Sequence, residues 1–188
     1  KMDIFLQQLI NGLVLGSVYA LVALGYTMVY GILELINFAH GEITMMGAMV
    51  ALAVIGALAL VAPGLPGVLS LGAGLAVAIP VCVALGLLIE RVAYRPLRHA
   101  PRLAPLITAI GVSIILQNIA MLIWGKQYIP FPAILPQGRH TIYGASITDV
   151  QIAILLLATS IMLMLILIGR KTRLGRAMRA TAQSRQVA

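Results

Sequence analysis

The chain has 188 residues, 61% of them hydrophobic and only 10% charged, with a mean hydropathy of +1.04. Ordinary soluble proteins carry about 25% charged residues, so the composition excludes a water-soluble fold and indicates an integral membrane protein. The net charge of +8 does not point to nucleic acid, because six of the thirteen basic residues lie within 170–185 and four within 91–102, which fits positive-inside loops and not a basic face on a soluble domain.

Lys1 precedes Met2 and reads as a residue upstream of the natural start. The apolar run that follows is too long for the h-region of a signal peptide. The first span is expected at 4–30. Gly12, Gly16 and Ala20, with Ala23, share one of its faces, and Gly12-x-x-x-Gly16 lets another helix approach closely. Packing within the chain is the simpler expectation, and a dimer contact the alternative.

A short polar island follows, with Glu34, Asn37, His40 and Glu42 between two runs free of Lys, Arg, Asp and Glu (4–33 and 43–89). Polar groups are costly at membrane depth, and those that persist there usually serve transport. Asn37, His40, Gly41 and Glu42 are therefore candidates for a gate or path lining where two helices meet. Glu42 also suits a helix N-terminus. An ordinary interhelical loop and a break dipping into the membrane both remain open for 31–42. His40 and Glu42 are two apart and share no helix face, which argues against a metal site.

Further spans are expected at 43–61, 68–89, 103–124 and 150–169, each near the length of about 20 residues that a bilayer requires. Pro63-Gly64-Leu65-Pro66-Gly67 forms the turn between the second and third. The runs are continuously apolar, as in helices, and lack the alternation of barrel strands. Cys82 sits inside an apolar run and reads as a small core residue, with no disulfide or cysteine metal site implied. The fourth span carries Gln117 and Asn118, which suit interhelical hydrogen bonding or, less simply, substrate contact. Gly111-Val112-Ser113 is a poor match to an intramembrane serine protease, since Ile114 follows the serine and the next span has no histidine. Gly169-Arg170-Lys171-Thr172 lacks the glycine pattern of a phosphate loop. No catalytic residue, metal or cofactor is expected.

Arg91, Arg95, Arg98 and Arg102 between the third and fourth spans, and the basic residues of 170–185, place both segments on the cytoplasmic side. The 125–149 loop and the amino terminus then lie outside. The segment after the fifth span suggests a short amphipathic helix, held by anionic lipid or docked on a soluble partner. The pattern stops at Ala188 without a helix stop signal, and truncation is expected there.

The stretch Asn11 to Gly31, Ile36-Asn37-Phe38-Ala39-His40-Gly41-Glu42, Glu90 to Arg98, and Gly175 to Gln183 together resemble the permease subunit (H-type) of branched-chain amino acid ABC importers. The resemblance covers essentially the whole chain, and urea and short-amide permeases share much of it. It implies an all-α, polytopic transmembrane helix bundle of the type II-like ABC importer permease class, one domain over 1–188, in a bacterial inner membrane. Implied partners are a second homologous permease subunit, two cytoplasmic ABC ATPases and a periplasmic substrate-binding protein docking chiefly on 125–149, with its Pro130, Pro132 and Pro136. Gly175, Arg176, Arg179, Ala180 and Gln183 match the segment that couples to the ATPase, and 170–188 is an incomplete version of it. Rival classes are a urea or short-chain amide permease, a secondary transporter independent of ATPases, and a membrane scaffold. A secondary transporter needs an ionisable group in mid-span, and the second to fifth runs as drawn hold none.

Overall fold

A computed structural model of the chain describes residues 2–33, 37–97, 100–101, 103–135, 138–142, 144–173 and 175–176. Five helices are long and apolar enough to cross a membrane: α1 (Met2–Leu33), α2 (His40–Val61), α3 (Gly67–Ile89), α4 (Leu103–Trp124) and α5 (Asp149–Lys171). Every expected span is present, with its ends within three residues of the expected ones. The chain is a multi-pass, helical membrane protein, and few of its side chains are buried against one another. Leu, Ile and Val remain exposed along all five helices, as expected where lipid or neighbouring helices cover an apolar surface.

The chain divides into two compact units, 1–36 with 136–188, and 37–135. In the second unit, α2 and α3 form an antiparallel pair joined by the expected turn. Leu65 N–H donates to the Ala62 carbonyl at 3.1 Å, and Pro66 stands at the N-cap of α3 with φ −57°. Small residues set the helix spacing. A Cβ on Gly74 would lie 3.2 Å from the Ala51 carbonyl oxygen and 3.3 Å from Ile55 Cγ1, and one on Gly47 would lie 2.6 Å from Cys82 Sγ. Gly47, Ala51 and Ile55 face Cys82, Ala78 and Gly74 at matching four-residue steps, the small-residue interface typical of membrane helices. Cys82 donates weakly to the Ile43 carbonyl at 3.5 Å.

Beyond Ile89 the third span continues as a π-turn (Glu90–Tyr94) and a single 3₁₀ turn (Arg95–Leu97). Pro96 explains the widening, since its ring collides with the carbonyl four residues back in a regular helix. Arg95 N–H accordingly donates to the Glu90 carbonyl, five residues back. α4 buries Pro105, Ala109, Leu116 and Ala120. It ends at Gly125, whose φ of +85° and N–H bond to the Met121 carbonyl (3.0 Å) form a left-handed cap.

In the first unit, α1 and α5 are accompanied by a β-hairpin, β1 (Arg139–Ile142) and β2 (Ala145–Thr148), with Arg139 opposite Thr148 and Ile142 opposite Ala145. The sequence alone predicts plain loop here. The two-residue turn has Gly144 at φ +83°, the left-handed geometry that tight hairpins require. Gln7 of α1 holds the hairpin as a strand would: its Nε2 donates to the Ser146 carbonyl at 3.0 Å and its Oε1 accepts from Ser146 N–H at 2.8 Å. Thr148 and Gln151 form a reciprocal capping box at the start of α5, and His140 pairs with Asp149 at 2.8 Å.

The packing expected of Gly12 and Gly16 is not made by the described residues: nothing lies within 4 Å of a Cβ built on either, and Ala20 is only half-buried. The close helix approach belongs to α2 and α3. Gly74→Leu should therefore destabilise the protein by about 1–3 kcal/mol through overpacking. Gly72→Leu, where a Cβ meets nothing within 4 Å, should change little, as read by reversible unfolding in detergent micelles.

Candidate functional site

The polar island builds the start of α2. Residues 37–39 form a turn, in which Asn37 Oδ1 accepts from Ala39 N–H at 3.1 Å and the Asn37 carbonyl accepts from His40 N–H, also at 3.1 Å. An asparagine side chain closing on its own following backbone is a common turn device. Asn37 Oδ1 also accepts from the Tyr94 hydroxyl at 2.7 Å. The π-turn of the third span thus carries Tyr94 onto the island, a pairing that sequence reasoning misses. Its only sequence signal is a tyrosine two residues before a proline at the flank of a span.

Glu42 lies in the first turn of α2, where the helix dipole favours a carboxylate. Its Oε1 accepts two bonds from α4, from Ser113 Oγ at 3.0 Å and from Gln117 Nε2 at 2.6 Å. Ser113 and Gln117 are one helical turn apart and so share a face. The structure thus joins two separate candidates, Glu42 and Gln117, and adds a serine that the sequence offers only as a poor protease match. Asn118 does not join them: its Nδ2 donates to the Ile114 carbonyl of its own helix at 2.8 Å. His40 and Gly41 are half-buried in the same first turn, and the His40 carbonyl accepts from Thr44 Oγ1 at 3.1 Å.

Two neighbours locate this site along the span. Ser113 lies midway between Leu103 and Trp124, about 15 Å from either end at 1.5 Å per residue. Cys82, which meets the Ile43 carbonyl, is seven residues, or about 10 Å, from Ile89 at the end of α3. The start of α2 therefore lies against the middle of α4 and toward the end of α3. Glu42 is the third residue of α2, so its carboxylate stands at the start of that helix, next to where the charge-free run begins. Gln117 is exposed and Glu42 half-exposed within the unit. Hydrocarbon is a poor neighbour for either group, so this face adjoins water or protein.

At the other functional segment, α5 stops at Thr172. Its Oγ1 donates to the Ile168 carbonyl at 2.6 Å and accepts from Gly175 N–H at 3.2 Å, while Arg176 N–H returns to the Thr172 carbonyl at 3.2 Å. Gly175 is buried, and a Cβ there would run into the Gly169 carbonyl, so the corner needs glycine. Arg176 is exposed just beyond it. Arg179, Ala180 and Gln183 lie outside the described residues, as does Glu34.

Residues 8–188 match the family described as branched-chain amino acid transport system / permease component. The chain is 48% identical over 184 residues to the high-affinity branched-chain amino acid transport system permease protein BraD of Pseudomonas aeruginosa, covering 95% of this chain and 59% of that protein. It is 45% identical over 188 residues to the corresponding LivH proteins of Escherichia coli K12 and Salmonella typhimurium, covering 98% of this chain and 61% of each. The chain thus spans about three-fifths of the length of these curated relatives. No solved structure gives a significant match.

The hydrogen bonds separate two adjacent amides. Gln117→Leu removes a donor from a carboxylate and should destabilise the protein by about 1–2 kcal/mol. Asn118→Leu loses only a bond within its own helix and should fall within about 0.5 kcal/mol of wild type. Unfolding midpoints of the two variants in the same detergent make the comparison.

Proposed function

The chain belongs to the family of branched-chain amino acid transport permease components, and from that membership we propose that it forms the membrane-spanning pathway of an importer that carries branched-chain amino acids across a bacterial inner membrane. It is a permease component and not a catalytic subunit. In this reading residues 1–188 act as one transmembrane domain beside a second homologous permease. Two cytoplasmic ABC ATPases supply the energy, and a periplasmic binding protein delivers the substrate.

One observation carries the assignment of the path: a carboxylate at the start of α2 meets a hydroxyl and an amide at the middle of α4 (Glu42, Ser113, Gln117), on a face where Gln117 is exposed. Branched side chains need an apolar passage with few polar anchors, and α2 to α4 offer that composition. Asn37 supports the same element from the turn before it, and His40 and Gly41 open its first helix. The Thr172–Gly175 corner suits a joint between the last span and a segment that takes up motion from the ATPase. Gly175 and Arg176, with Arg179, Ala180 and Gln183 further along, are its proposed contacts. Gly12, Gly16 and Ala20 remain a proposed packing face for a neighbouring helix.

Two measurements test this reading. Membrane vesicles holding the assembled transporter should take up leucine only with ATP and only when this subunit is present. Uptake that survives ATP depletion and collapses with the proton gradient would favour an ion-driven carrier. In a Cys82→Ala background, Gln117→Cys should react with a membrane-impermeant thiol reagent. Ile115→Cys, exposed on the opposite side of α4, should be shielded by lipid or protein, and equal protection of both would remove the water-lined path.

A further inference from the structure

Among the described residues, the carboxylate in the Glu42 cluster is hydrogen-bonded on one side only. Ser113 Oγ and Gln117 Nε2 both converge on Oε1, and no described residue donates to Oε2. Both donors are neutral. Among the described residues no lysine or arginine pairs with Glu42, and neither 43–89 nor 103–124 contains one. A negative charge is therefore held at the start of α2 against the middle of α4, with hydrogen bonds but without a counter-charge from the helices that hold it. Such a charge is stable only beside a cation or water. Glu42 also stands half-exposed on the face assigned to the path.

We propose that Glu42 Oε2 receives the α-ammonium group of the amino acid as it passes, with Ser113 and Gln117 fixing the carboxylate so that this second oxygen faces the path. The inference rests on the permease reading and deepens it. A transported zwitterion brings its own cation, which complements the charge that the helices leave unpaired, and its apolar side chain meets the Ile and Leu surface around the cluster. A neutral amide such as urea has no ammonium and gains nothing from a fixed carboxylate. The carboxylate thus selects for a free amino group, separately from any selection of side chain. Ser113 and Gln117 act through Glu42 and are positioning residues.

The test uses the transporter assembled with its ATPases and binding protein in proteoliposomes, with labelled leucine as the probe. Glu42→Gln keeps an oxygen to accept from Ser113 and Gln117 but removes the charge, and leucine uptake should fall by about tenfold or more. Glu42→Asp restores the charge on a shorter arm and should recover a measurable share of the rate. Assembly of each variant complex, followed by size-exclusion chromatography, excludes loss through misfolding. Wild-type uptake by Glu42→Gln, with loss only in Glu42→Asp, would show that the carboxylate serves as a helix clamp or sits protonated, and would overturn the proposal. Failure of the wild-type assembly to import leucine at all would instead overturn the permease reading from which it starts.

Discussion

A carboxylate at the start of one membrane-crossing helix, set against the middle of another, has to be satisfied where it stands, and the unit formed by residues 37–135 is arranged around that requirement at Glu42. Ionised groups are poorly tolerated in hydrocarbon, so the position demands donors, a favourable dipole and an aqueous or protein neighbour. The second unit supplies the first two by different routes. Ser113 and Gln117 present donors from one face of α4, and the first turn of α2 adds its N-terminal dipole. The turn at 37–39 sets where that helix begins, and Tyr94 anchors the turn through Asn37 Oδ1. The π-turn that delivers Tyr94 follows in turn from Pro96. A proline at one end of the third span thereby bears on the placement of a charge in the second.

This arrangement depends on how closely α2 and α3 pack. Gly47, Gly74 and their alanine neighbours leave room for the two backbones to come close, since a Cβ added to Gly74 would stand only 3.2 Å from the Ala51 carbonyl oxygen, and the resulting van der Waals contact replaces the hydrophobic drive that is absent between helices in lipid. The other unit solves a different problem. There the Gln7 amide pairs with Ser146 as an extra strand would, and the capping box of α5 uses the donors that a helix start leaves free. Polar chemistry in that unit fixes one end of two spans, whereas in the α2–α4 unit it joins the start of α2 to the middle of α4.

Composition alone makes the five spans legible, because an uninterrupted apolar run of about 20 residues matches the thickness of a bilayer and little else in protein architecture. The hairpin at 139–148 is not legible in the same way. Its strands are four residues each, and the Tyr143-Gly144 pair between two short alternating runs is the available signal. Small-residue spacing is legible, but it does not say which face is packed within the described residues. Gly12 and Gly16 carry the same pattern as Gly47 with Ala51 and Gly74 with Ala78, and periodicity cannot say which of these faces finds a partner. The polar island stands out as the informative segment, yet its depth is not readable from residue order. A run drawn up to its first charge always places that charge at the boundary; the structure keeps Glu42 in the first turn of α2, and the bond from Ser113 shows that this helix start meets the middle of α4.

The nature of the donors bears on what such a site can do. Two neutral hydrogen bonds lower the desolvation cost of a carboxylate without cancelling its charge. An arginine or lysine in their place would cancel it permanently and leave a closed ion pair, with no reason for a passing cation to enter or leave. Because both donors converge on Oε1, they also fix the orientation of the carboxylate plane, so Oε2 holds its direction, with no donor among the described residues. A binding group in a transport path has to be attractive enough to admit its ligand and weak enough to release it. A carboxylate half-satisfied by serine and glutamine lies between the two extremes that would defeat transport: a fully paired charge, which attracts nothing, and a bare one, which holds too tightly.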